Sequence, residues 1–196
     1  MAVLAFSAVA SASASATTPE WFAKGSLLSG TQGVSATSTT PFKFRVLNLN
    51  ITIECKSASL TSASITNPGL GGAVAISLKE CAETSKPVCL VSKTITSGPV
   101  NSNLAYVNGA EVSDEYTPGN GTFFSLILED CSFEGTYRIT GKLCGNELSP
   151  STEAVVKNQV FATRCAMKLG TNPAYLEGTL AFSLTGSQLG STWTGK

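Results

Sequence analysis

Phe42-Lys43-Phe44-Arg45-Val46, and a few residues later Leu49-Asn50-Ile51-Thr52-Ile53-Glu54-Cys55, alternate apolar and polar residues over two short runs. A period of two sends Phe42, Phe44 and Val46 to one face and Lys43 and Arg45 to the other, the pattern of a half-buried β-strand. The second run repeats it and ends on a cysteine. The same reading extends in both directions. Val74, Ile76 and Leu78 follow the turn-rich Asn67-Pro68-Gly69-Leu70-Gly71-Gly72 and run into Cys81. Thr122 to Leu128, with Phe123, Phe124, Leu126, Ile127 and Leu128, suits a central strand buried on both faces and leads to Cys131. Tyr137, Ile139, Gly141 and Leu143 reach Cys144. Val155 to Cys165 is expected to return antiparallel to that strand after the Ser149-Pro150-Ser151 break, and Leu180, Phe182 and Leu184 form a last strand before Trp193. No 11-residue window beyond the N-terminal run has a helical period. The fold expected is all-β: a disulfide-stapled antiparallel sandwich or Greek key, with two packed β halves as its variant.

Composition agrees. Of 196 residues, 42% are hydrophobic and 13% charged, which excludes disorder and a solvated helical rod. Ser and Thr make up about a quarter of the chain, favouring short strands and turns over helices. The 13 basic and 13 acidic residues cancel, and no cluster of Lys and Arg appears, so neither nucleic acid nor an anionic membrane surface is an expected partner. There is no histidine. That absence removes the commonest general base and zinc ligand, and with it every Ser-His-Asp or Cys-His site. A Ser-x-x-Lys motif is also absent at all ten lysines, leaving only a hydroxyl brought to a lysine by folding.

Residues 1–16 read as a secretory signal peptide. Ala2 to Ala10 is apolar and too short to span a membrane, and the alternating Ser11 to Ala16 tract offers A-x-A frames, with cleavage expected after Ala16. No positive residue precedes the run, which fits a leader that begins upstream of Met1. Residues 17–196 then form a single exported β domain. Export makes the six cysteines legible as three disulfides, because no C-x-x-C is present and the gaps suit neither a zinc ribbon nor a thioredoxin-type pair. A hairpin across 82–88 brings Cys81 to Cys89, and the return strand after 149–151 brings Cys144 to Cys165. Cys55–Cys131 follows by elimination and would tie two halves together. The segments ending Lys79-Glu80-Cys81 and Glu129-Asp130-Cys131 resemble each other as a weak two-fold repeat.

The set Pro19-Glu20-Trp21-Phe22 with Gly25, Ile53-Glu54-Cys55, Glu80-Cys81, Cys89-Leu90-Val91, the Phe124 to Cys131 strand, Gly135-Thr136-Tyr137-Arg138-Ile139-Thr140-Gly141 and Trp193 resembles a group of uncharacterised secreted Cys-containing β proteins of high-GC soil actinobacteria. The resemblance implies an exported β protein and no particular activity.

Carboxylates gather at Glu111, Asp114 and Glu115, and again at Glu129, Asp130 and Glu134. Two carboxylates about 5 to 9.5 Å apart are what a glycosidase needs, so a carboxylate-based polysaccharide hydrolase is the enzymatic alternative. Against it, sugar clefts are walled by aromatics and the two tryptophans lie near the ends. Calcium is not expected with Asp114 and Asp130 as the only aspartates. Gly135 to Lys142 lacks the spacing of a phosphate loop and reads as a strand; Asn120-Gly121 reads as a turn rather than a glycosylated sequon. No cofactor or metal is expected. The function expected is a non-catalytic binding or structural protein of the cell envelope or exterior, its partner unspecified, with contacts sought at 108–121 and 146–154. A further alternative is a pilin-like subunit exchanging strands, for which Ser26 to Thr40 is the detachable edge.

Overall fold

A computed structural model describes residues 18–85, 89–107, 111–132, 134–146, 153–161 and 165–196. The expected leader lies outside these residues, as do 108–110 and 147–152 of the two expected contact segments. The described chain is all-β, with nineteen strands and two short 3-10 turns, at Leu47–Leu49 and Gly186–Gln188. The first strands are β1 (Trp21–Ala23), β2 (Ser26–Leu27), β3 (Thr31–Ser38), β4 (Phe42–Val46), β5 (Ile51–Thr61) and β6 (Ala63–Thr66). Next come β7 (Leu70–Ala73), β8 (Ala75–Glu83), β9 (Leu90–Val91), β10 (Thr94–Thr96), β11 (Val100–Val107) and β12 (Glu111–Pro118). The chain continues through β13 (Phe124–Glu129), β14 (Gly135–Gly141), β15 (Leu143–Cys144) and β16 (Val156–Phe161). It finishes with β17 (Met167–Leu169), β18 (Asn172–Leu184) and β19 (Trp193–Gly195). Every pairing is antiparallel, and the expected all-β, disulfide-stapled architecture is present.

One half is a closed ring of backbone pairings. It runs β18 to β4, β5, β8 and β10. The bridge from Ser97 to Phe124 continues it into β13, after which β14 and β17 lead back to β18. The alternating strand β4, buried at Phe42, Phe44 and Val46, turns its apolar face inward together with Ile53, Leu78, Ile95, Leu126, Leu128, Ile139 and Met167. Eight strands enclose a space that side chains fill, so this half is a packed core. The other half is a curled sheet in the order β16, β18, β3, β6, β7, β11, β12, β15. Its two edges meet without a ladder: Val160 N–H donates to the Asn146 side chain at 3.1 Å. Strand β18 serves both halves, its Asn172–Glu177 part in one and its Gly178–Leu184 part in the other. Gly178 marks the crossing, because a Cβ there would lie 2.7 Å from the Phe42 ring. Phe42, Phe161 and Tyr116 continue the contact as a chain of rings, with centroids 6.0 and 5.6 Å apart. A small sheet of β19, β1 and β2 closes the curled half with Trp21 and Trp193, whose rings are 5.7 Å apart.

Long-range pairing corrects several local expectations. The disulfides are Cys55–Cys81, Cys89–Cys131 and Cys144–Cys165. Only the third was expected. Cys81–Cys89 fails because β8 has β5 and β10 as neighbours, which puts Cys81 directly opposite Cys55, with Cα atoms 3.9 Å apart. Cys55–Cys131 fails with it, since β9 runs beside β13 and carries Cys89 to Cys131. Peptide mapping under non-reducing conditions is expected to recover Cys55–Cys81 and Cys89–Cys131 fragments; a Cys81–Cys89 fragment would refute this pairing. Cys144 reaches Cys165 without the expected hairpin, because β14 pairs with β13 and β17 while β16 pairs with β18. Strand β13 is half-buried rather than buried on both faces, and Ile127 is exposed. Residues 111–118 of the expected loop are strand, paired along their length with β11. Ser26 to Thr40 contains no free edge at β3, which pairs with β18 on one side and with β5 and β6 on the other. The two acid-Cys segments share a backbone feature, since Glu80 and Asp130 both have positive φ, 51° and 56°.

Candidate functional site

The first acidic cluster lies on β12, and strand alternation divides it. Asp114 and Tyr116 point into the curled half, whereas Glu115 points out and accepts an ion pair from Lys142 at 2.8 Å. Glu111 is exposed at the strand's start, and Glu129, Asp130 and Glu134 are exposed around Cys131 in the other half. Among the described residues, Asp114 lines the buried cavity of the curled half, while Glu115 is held by Lys142 on the outer face.

What the fold does assemble is a buried polar cluster. Asp114, Tyr116 and Gln159 meet beside Ser102 in a cavity of about 20 Å³ whose apolar walls include Val34, Ile65 and Phe182, with Trp21 and Trp193 also lining it. That volume holds about one water and no larger ligand. The Tyr116 hydroxyl lies 2.7 Å from Asp114 Oδ2 and 2.7 Å from Gln159 Oε1, and Gln159 Nε2 donates to Asp114 Oδ2 at 3.4 Å. Tyr116 has one proton for two acceptors. With Asp114 protonated, the acid would donate to the phenol oxygen and free the phenol to donate to Gln159. Burial favours the same state, raising the Asp114 pKa above the ordinary carboxylate range, against the opposing hydrogen bonds from Tyr116, Gln159 and Ser102. Burial also pushes the Tyr116 phenol well up, so it stays protonated. Asp114 Oδ1 has no hydrogen-bond partner, as expected of a group that is costly to ionise there.

Strand β16 supplies the members that sequence reading missed. Lys157, Gln159 and Phe161 face inward while Val156 and Val160 are exposed, the reverse of what their polarity suggests. Lys157 Nζ donates to Thr194 Oγ1 at 2.9 Å and sits 5.9 Å above the Trp193 ring. Desolvation draws its pKa down to about 8, with Glu153 acting in the opposite sense. This is the lysine-hydroxyl contact that a motif search leaves open. Thr194 is 0% exposed, so its hydroxyl is turned away from solvent. The only sequence signal was Phe161, whose apolar side chain shares parity with Lys157 and Gln159.

Glu115, Cys144 and Cys165 place ligand-type atoms within 4.8 Å of one another. The two sulfurs are bonded to each other and Glu115 engages Lys142, so the group offers no thiolate to a metal. Asn67 instead organises structure: its Oδ1 accepts from Trp21 N–H at 2.6 Å and its Nδ2 donates to the Trp21 and Leu28 carbonyls at 3.0 and 2.8 Å. It holds β1 in place.

Fold and site together define an antiparallel all-β protein with three disulfides and a buried polar cluster in its curled half. Compared with known proteins, the chain matches no family model, none of the curated proteins and none of the solved structures.

Proposed function

We propose that the protein is an exported, non-catalytic binding or structural module of the cell envelope or exterior, akin to the secreted actinobacterial proteins it resembles. Three disulfides suit an oxidising compartment, and no helix among the described residues is long and apolar enough to cross a membrane. The observation that carries the reading is the division of the first acidic cluster: Asp114 is buried beside a cavity of about one water, while Glu115 is engaged outside by Lys142. A rigid stapled scaffold with its chemistry on the outside fits binding better than turnover.

The test combines retention with product analysis. Full disulfide-bonded protein, incubated with insoluble cell-wall material and a panel of polysaccharides, is expected to be retained by at least one without releasing reducing ends. Steady release that disappears in Glu111→Gln or Glu129→Gln would instead establish the hydrolase alternative.

A further inference from the structure

We infer that the hollow around Arg138 binds a carboxylate-bearing sugar residue of an extracellular polysaccharide; the inference rests on the binding-module reading and gives it a ligand class. Among the described residues, Lys43, Arg45, Lys56 and Lys142 each stand within 3.4 Å of a carboxylate. Arg138 has no such partner, nor do Lys24, Lys79, Lys93, Lys168 and Lys196; what sets Arg138 apart is its place in a hollow. It lines a surface hollow of about 280 Å³ with Thr96, Gly98, Asn120, Thr122, Phe123 and Ser125. That size is at the lower end of ligand sites, enough for one sugar ring rather than a drug-sized molecule.

The hollow is built by pairing, not by a loop folding over. Arg138 on β14 stands directly opposite Ser125 on β13, and the Ser97–Phe124 bridge brings the end of β10, with Thr96, to the same edge. Arg138, Ser125 and Thr96 are exposed above the buried Phe123. The Asn120-Gly121 turn forms the remaining wall. Asn120 Oδ1 accepts from Thr122 N–H at 3.3 Å, and its amide nitrogen would be 3.0 Å from a Cβ at residue 98, so Gly98 is what allows the side chain to lie so close.

The chemistry then selects the ligand. A guanidinium presents a planar fork that matches a carboxylate with two parallel hydrogen bonds. One cation with no second lysine or arginine lining the hollow suits a singly charged group better than a phosphate dianion. The hydroxyls of Thr96, Thr122 and Ser125 and the amide of Asn120 both donate and accept, which is what ring hydroxyls require. A uronic-acid unit combines these two features.

Affinity electrophoresis of the full disulfide-bonded protein through gels containing polygalacturonate, dextran or polyphosphate tests this. Retardation by polygalacturonate and not by dextran is expected, with Arg138→Gln weakening it about tenfold and Lys24→Gln, the same change of charge in the other half, leaving it unaltered. Gly98→Val, which crowds Asn120, is expected to weaken binding too; a thermal melt confirms that each variant is folded. Equal retardation of Arg138→Gln and Lys24→Gln, an equal effect of dextran, stronger retention by polyphosphate, or no retardation by polygalacturonate would each overturn the inference. Binding to another polymer that survives Arg138→Gln would overturn it while leaving the binding-module reading intact.

Discussion

Trp21→Ala is expected to lower the stability of the folded chain by about 3 to 5 kcal/mol, the largest effect of any single truncation near the cavity. Trp21 is 1% exposed, packs its ring 5.7 Å from that of Trp193, and donates from Nε1 to the Leu70 carbonyl at 2.9 Å. It also lines the cavity, so the space left by the indole joins an existing void instead of collapsing. Water entering that space would reach Asp114 Oδ1. The transfer loss and the enlarged cavity act in the same direction, and the hydrogen bond to the Leu70 carbonyl is lost with them. Urea unfolding measures it, and Trp21→Phe, which keeps most of the packing but not the donor, should lose only about 1 kcal/mol. A loss below about 1 kcal/mol for Trp21→Ala would mean that β1 is not the plug described.

Asp114→Asn is expected to abolish a pH dependence of stability that the unaltered protein shows. The folded-state pKa of Asp114 is raised, so the folded chain holds a proton that the unfolded chain releases. The stabilisation is complete below the ordinary aspartate pKa and is lost as pH rises from about 4 through the raised value. Within that window the loss is about 1.4 kcal/mol per pH unit. Asn keeps the shape without the charge and should flatten this part of the curve. Lys157 acts at higher pH and adds the opposite slope: its folded pKa is lowered to about 8, so stability rises from there toward the ordinary lysine value. The check is a series of unfolding midpoints across pH for both chains. An unchanged profile in Asp114→Asn would show that Asp114 does not carry the proton.

The two acid clusters show how far sequence reading goes toward a site. Their positions beside strand ends were legible, but whether a carboxylate faces solvent or core depends on one residue of register and on what the opposite wall supplies. Asp114 and Glu115 are neighbours in sequence and part completely in space. Lys157 and Gln159 went unread for the same reason, since in β16 the valines, by composition the better core residues, are the ones outside. Arg138 was visible as part of a strand. Its hollow was not, because Thr96 and the stretch from Asn120 to Ser125 come to it from separate parts of the chain.

Sequence alone determined that this protein is all-β and carries cysteines in an even set beside its strand ends, because a period of two and the placement of turn residues are local properties that survive any arrangement of strands. The charge balance and the missing histidine were equally independent of fold. Tertiary structure decided which strands are neighbours, and hence that Cys81 meets Cys55 while Cys89 meets Cys131, that β18 joins two halves, and that one aspartate is sealed inside. Those outcomes follow from pairing between residues far apart in the chain, settled by the burial of many apolar faces at once, and no window short enough to read by pattern contains that information.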